Sequence, residues 1–193
     1  MAGRIKGAAL RETVLWLEKE LGPARVRDAA QAMGSFRDAM SASLPALGVL
    51  SSQWYDGALV HGLFDAMFRG LTRAEISSLA YRATPVAVGA SLGKFQRALL
   101  RRIASPALHR AFAQRLWDQH FDTGAVRVEL PREGASIVRF SSWTTHHPFI
   151  CDLCSASDIV IYEAMGLPNV RVRQLSCVDD KKSDCSHEVT WSS

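Results

Sequence analysis

Four cysteines, all within the last 43 residues, constrain this chain more than any other feature: Cys151 and Cys154, then Cys177 and Cys185. They read C-x2-C, a 22-residue interval, then C-x7-C. Thiolate is the preferred soft ligand for zinc, which takes four tetrahedral ligands with no demand from d-electrons. Four thiols in two pairs, with none elsewhere in the 193 residues, point to one structural metal site. Two disulfides or four unrelated buried thiols are the alternatives. Met1 to Gly7 is short and polar, not an apolar signal segment, so a reducing cytoplasmic compartment is expected, which favours metal over disulfide.

The rest of the sequence bounds the setting of that site. A chain of 193 residues suits a single domain over 1–193, large enough to bury a core without disulfide staples. No apolar run approaches the roughly 20 residues that cross a bilayer, so no membrane span is expected. Net charge is +4 and unevenly placed: 16 Lys/Arg against 9 Asp/Glu in residues 1–120, then 7 against 10 in 121–193. That asymmetry is mild.

Hydropathy divides the chain into a helical part, 1–123, and a sheet part, 124–193. Leu10, Val14, Leu17 and Leu21 recur at helical spacing until Gly22-Pro23. A second helix is expected from about Ala24 to Met33, closed by Gly34, and a third from Trp54 to Phe68. Leu44-Pro45 and Gly48 to Ser52 read as loop. Thr72-Arg73-Ala74-Glu75 is a capping-box sequence, and Ser105-Pro106 opens a helix running to about His120. After Gly124 the period becomes two: Val126, Val128 and Leu130, then Val138 and Phe140. A helix returns from Pro148 to Met165. A strand follows from Val170 through Cys177, and in a last one Cys185, His187, Val189 and Trp191 share a face. The expected class is α+β: helices, a hairpin, one helix, a final hairpin.

In this arrangement Cys151 and Cys154 lie on the first turn of the last long helix, whose N-terminal partial charge favours thiolate. Cys177 and Cys185 lie at facing ends of a hairpin. A metal at all four would pin helix to hairpin, with Asp152, Asp158 and His187 as the nearest substitute ligands.

On Cys151, Cys177 and Cys185 in the frame "RVRQLSCVDDKKSDCSHEVTW", residues 120–191 resemble the 4-vinyl-reductase-type small-molecule-binding domain. That domain also serves as the sensory part of phenol-responsive bacterial activators. The resemblance implies a structural zinc held by three such cysteines and a carboxylate three positions before the middle one. Here that position is Gln174, and Cys154 is the natural replacement. The N-terminal half, with "KGAALRETVLWLEKELG" and "WYDG", also resembles an uncharacterised myxobacterial paralogous family. The implied fold is the one shared by haem-nitric-oxide-binding domains and vesicle-tethering subunits, whose members bind small hydrophobic ligands or serve as dimeric assembly modules. The Tyr-x-Ser-x-Arg motif of nitric-oxide sensors is missing, so no haem is expected.

Three rival features remain. Gly89-Ala90-Ser91-Leu92-Gly93 fits the G-x-S-x-G nucleophile elbow of serine hydrolases, with Val86 to Val88 as a candidate strand and Asp118, Asp122, His146 or His147 as candidate partners. Nothing before Pro85 supplies the buried parallel strands that fold needs, so a glycine-rich bend is the simpler reading. Lys94, Arg97, Arg101 and Arg102 form a basic stripe opposite Phe95, Leu99 and Ile103; without a recognition motif it reads as a solvated face, and no nucleic-acid partner is expected. Trp117, His120, Trp143 and Phe149 are candidate walls of a pocket for an aromatic or lipid-like molecule, although core packing accounts for them as well. The expected function is a cytoplasmic, non-catalytic, zinc-stabilised ligand-binding or regulatory module signalling through a homodimer or partner protein. An assembly module without ligand and a hydrolase using Ser91 are the alternatives.

Overall fold

The computed structural model describes residues 3–33, 41, 43–91 and 104–192, with 89–91 described by backbone alone. The chain runs β1 (Arg4–Lys6), α1 (Gly7–Leu21), α2 (Pro23–Ala32), β2 (Trp54–Asp56), α3 (Gly57–Met67), α4 (Arg73–Ser91), α5 (Pro106–Trp117). It continues β3 (Ala125–Arg132), β4 (Ala135–Ser141), α6 (Pro148–Ala164), β5 (Arg171–Ser176) and β6 (Cys185–Thr190). This is the expected α+β class.

The local signals explain most boundaries. Glu75 Oε2 accepts from Thr72 N at 2.7 Å while Thr72 Oγ1 accepts from Glu75 N, so the capping box opens α4. Ser105 Oγ accepts from Leu108 N at the start of α5, with Pro106 at its first position. Leu10, Val14 and Leu17 turn one buried face of α1 toward the core.

Two readings change. Arg4–Lys6 and Trp54–Asp56 pair as an antiparallel ribbon, with Ile5 opposite Tyr55, where the sequence suggested a polar stub and the start of a helix. Three-residue strands are too short to show a period, and Asp56 caps α3 by accepting from Ala58 N and Leu59 N. Val86 to Val88 lie inside α4, not in a strand, so the strand-to-helix elbow expected around Ser91 is not formed. Leu92 and Gly93 of that motif, the basic stripe 94–102 and Gly34 lie outside the described residues.

The four-stranded sheet has the order β3-β4-β6-β5, antiparallel throughout. Helix α6 connects β4 to β5, lies against β5 and β6, and packs along α4 on its other side. Its buried positions include Cys151, Ser155, Asp158 and Tyr162, at spacings of 4, 3 and 4 that keep them on one face. Each meets a polar partner. His187 on β6 stands between Ser155 Oγ (3.2 Å) and Asp158 Oδ2 (2.5 Å). Tyr162 OH lies 2.8 Å from Ser136 Oγ on β4 and 3.2 Å from His109 Nδ1 on α5. His109 Nε2 lies 3.8 Å from Asp158 Oδ1. Burial lowers the His109 pKa and raises that of Tyr162 to about 12, so both are neutral near pH 7.

Removing one member strands its buried partners, which costs about 1–3 kcal/mol per group left unpaired. Tyr162→Phe should therefore lower stability by about 2 kcal/mol in chemical denaturation, although it preserves ring volume. A change below about 0.5 kcal/mol, the range of neutral surface substitutions, would show that these hydrogen bonds carry no net stability.

Candidate metal centre

Helix α6 begins just after the segment His146-His147-Pro148. His147 caps it, its Nδ1 accepting from Phe149 N at 3.2 Å. That cap places His146 outside the helix and Cys151 on its first turn. Across the sheet, Cys177 follows β5 and Cys185 opens β6, joined by a short 3-10 turn, Val178–Asp180. One imidazole nitrogen and three sulfurs, from His146, Cys151, Cys177 and Cys185, thus lie within 4.8 Å of one another.

Two edges of the cluster match a tetrahedron. Bonds of about 2.3 Å to sulfur and 2.0–2.1 Å to nitrogen imply edges of about 3.7 Å between sulfurs and about 3.5 Å between sulfur and nitrogen. Cys177 and Cys185 Sγ are 3.6 Å apart, and Cys177 Sγ is 3.5 Å from His146 Nε2. The turn adds backbone donors: Val178 N–H points at Cys185 Sγ (3.4 Å) and Asp179 N–H at Cys177.

The protons are distributed unevenly. Hydrogen bonds to Cys177 and Cys185, together with burial, raise the Cys151 pKa far above the ordinary thiol value. The same bonds from Cys151 lower Cys177 to about 7 and Cys185 to about 4. Burial opposes the His146 imidazolium, but the Cys185 and Cys177 sulfurs outweigh it and its pKa is raised. The sequence predicts a Cys151 thiolate at the helix start, but two neighbouring sulfurs of greater acidity leave Cys151 with the proton. Three buried sulfurs at contact distance repel one another once ionised, and a divalent cation removes that repulsion.

The surroundings are ordered. Arg73 at the start of α4 pairs with the buried Asp152, beside Cys151. Asp179 Oδ1 lies 3.6 Å from His146 Nδ1. Trp143 packs edge-on against the His146 ring at 5.4 Å. A shallow cleft of about 260 Å³ opens beside Cys177, lined also by Arg73, Gln174, Leu175, Ser176, Asp179 and Asp180.

Of the four cysteines named from sequence, Cys154 falls outside the cluster. Three residues of helix turn it about 60° short of a full revolution from Cys151. Its half-buried thiol has a raised pKa, chiefly from desolvation, then from Asp158 and Cys185. His146 takes its corner. The signal lies in His146-x4-Cys151, although the sequence offers that histidine only as a candidate triad partner. Among the pocket candidates, Trp117 and Trp143 meet at 4.8 Å, with Phe121 and Phe140 against them. Both indoles are satisfied, by Thr123 O and Thr145 Oγ1. Phe149 belongs to a separate cluster with Phe64 and Phe68. His120 follows α5, and its Nδ1 is buried with no hydrogen-bond partner.

No family model matches the chain, and no characterised protein matches it in sequence. Solved structures do. A structure from a study of haem distortion in the H-NOX family superposes at TM-score 0.66 and 9% identity, covering 98% of this chain and 96% of that one. The unliganded Fe(II) H-NOX protein from K. algicida gives 0.66 at 12%, covering 98% and 97%. An oxygen-binding H-NOX domain related to soluble guanylate cyclases, in its oxygen complex, gives 0.65 at 8%, covering 98% and 96%. At these identities the likeness establishes the fold. It corrects two expectations. The resemblance to 4-vinyl-reductase-type and myxobacterial families is not upheld, since the neighbours are H-NOX domains and no family model matches. The expectation of no haem is withdrawn, because the fold neighbours are H-NOX domains, one from a study of haem distortion, and that likeness outweighs one missing five-residue motif. A zinc-class ion is suggested by the Cys/His cluster alone. No helix of the described residues is long and apolar enough to cross a membrane.

Metal binding at this cluster must displace the Cys151 proton and, toward lower pH, the protons of Cys177 and of the His146 imidazolium as well. Affinity for zinc or cobalt(II) should therefore rise with pH, about tenfold per unit for each proton displaced. Chelator competition at pH 6, 7 and 8 reads this directly. A pH-independent affinity would mean that thiols are not the ligands.

Proposed function

We propose that this chain is a non-catalytic regulatory domain that senses a small molecule through the H-NOX fold. In this reading one soft metal ion of the zinc class, at His146, Cys151, Cys177 and Cys185, clasps its C-terminal half. The observation that carries the sensing role is the fold likeness across 98% of the chain. Support for the clasp is the convergence of the four donors within 4.8 Å, with two of their edges at tetrahedral length. Four protein ligands leave no open coordination position, which is the pattern of a structural site and not of a catalytic one.

The fold neighbours bring haem to this reading as the candidate ligand. A haem iron needs an axial donor from the protein. His109 is engaged by Tyr162 and Asp158. His120 offers a buried nitrogen without a partner, and desolvation lowers its pKa, so the imidazole stays neutral and able to ligate. His120 is therefore the residue that would hold the iron. When bound, haem supplies an iron that takes a small gaseous ligand. The chain's own part is to keep that histidine neutral.

One observation favours the assembly alternative. Leu108, Phe112 and Leu116 form an exposed stripe on α5, flanking the buried face of His109, Ala113 and Trp117. A homodimer or partner could cover it, and a sensor would pass its signal there.

The test is native mass spectrometry with absorption spectroscopy after haem reconstitution. A haem band that is lost in His120→Ala, with one metal ion retained per chain, is the expected result. A chain that takes neither haem nor any apolar ligand, while running as a stable dimer, would replace sensing with assembly.

A further inference from the structure

The metal-site reading leaves one neighbouring group without a task. Asp179 sits in the 3-10 turn between Cys177 and Cys185, and its carboxylate faces the outer nitrogen of His146. His146 Nε2 points inward at Cys177 Sγ, 3.5 Å away, so Nε2 is the ligating atom. A neutral imidazole that ligates through Nε2 must carry its proton on Nδ1. That N–H needs an acceptor, because His146 is only about one-tenth exposed at its side chain. Asp179 Oδ1 is the group in place, at 3.6 Å.

We propose that Asp179 is the positioning residue of this centre: resting on the metal-site reading above, it fixes the His146 tautomer and ring orientation by accepting from Nδ1–H. A carboxylate behind a metal-bound histidine both orients the ring and raises its basicity. The present separation is an ion-pair distance, about 0.6 Å longer than an ordinary hydrogen bond. The side chain has room to close it, being 41% exposed on the open cleft beside Cys177. Its own backbone N–H already points at Cys177, so one residue serves two adjacent ligands. Asp180, next in the same turn and the same cleft, forms no ion pair with His146 among the described residues and provides an internal control for charge alone.

The experiment measures zinc affinity by chelator competition for wild type, Asp179→Ala, Asp180→Ala, His146→Ala and the Asp179→Ala/His146→Ala double variant. Melting temperatures of the metal-free proteins are measured alongside. Loss of an outer-shell partner costs about 10–100-fold in metal affinity. Asp179→Ala should lose that much, Asp180→Ala less than about threefold, and the metal-free melting temperatures should not differ. With His146 already removed, Asp179→Ala should cost nothing further. Equal losses from Asp179→Ala and Asp180→Ala would show a general charge effect and overturn the assignment. So would an undiminished Asp179→Ala loss in the His146→Ala protein. A wild-type chain that binds no metal would overturn the metal-site reading itself. Metal binding that ignores Asp179 would overturn only the present inference.

Discussion

The inward face of α6 meets the sheet through polar atoms, and that choice governs the C-terminal half. Cys151, Ser155, Asp158 and Tyr162 each face a partner on the sheet or on α5. In a low-dielectric interior such contacts are directional, and a group left unpaired is costly. An apolar seam would tolerate sliding by a fraction of a turn; this ladder does not. The sulfur cluster sits at its first rung, where the helix starts and the last hairpin closes. Register along α6 is therefore set at one end by the cysteines and at the other by Tyr162 between Ser136 and His109.

Much of this was legible in the sequence, and the failures have physical causes. The capping box at Thr72 and the Ser105-Pro106 start are local signals, complete within four residues, and the structure places both helices accordingly. The period-two runs from Val126 and Val138 gave two strands of the sheet because half-buried strands alternate. The β1–β2 ribbon did not show, since three residues cannot display a period and its pairing spans some 50 residues. The polar ladder was hidden for a different reason. Helix reading looks for apolar spacing, and Ser155, Asp158 and Tyr162 repeat at the same spacing with the opposite polarity.

The candidate site was half legible. Cysteine spacing picked out three residues that the structure brings together, because a helix start and a hairpin are forms in which spacing dictates proximity. It could not choose between Cys154 and His146. That choice depends on about 60° of helix rotation and on a cap at His147 that leaves His146 free of the helix. The haem question shows the converse limit. At 8% to 12% identity the fold persists while motifs do not, so a missing motif says little about what the fold can hold. The unpartnered Nδ1 of His120 is visible only in three dimensions.

The central claim is that a single soft metal ion joins α6 to the last hairpin through three sulfurs and one imidazole. X-ray absorption at the zinc edge, on protein purified without added chelator, tests it most directly. The account requires a first shell of three sulfurs at about 2.3 Å and one nitrogen at about 2.0–2.1 Å. A four-sulfur shell would return Cys154 to the site and displace His146. Protein that carries no metal, and takes none up when zinc is supplied, would contradict the account.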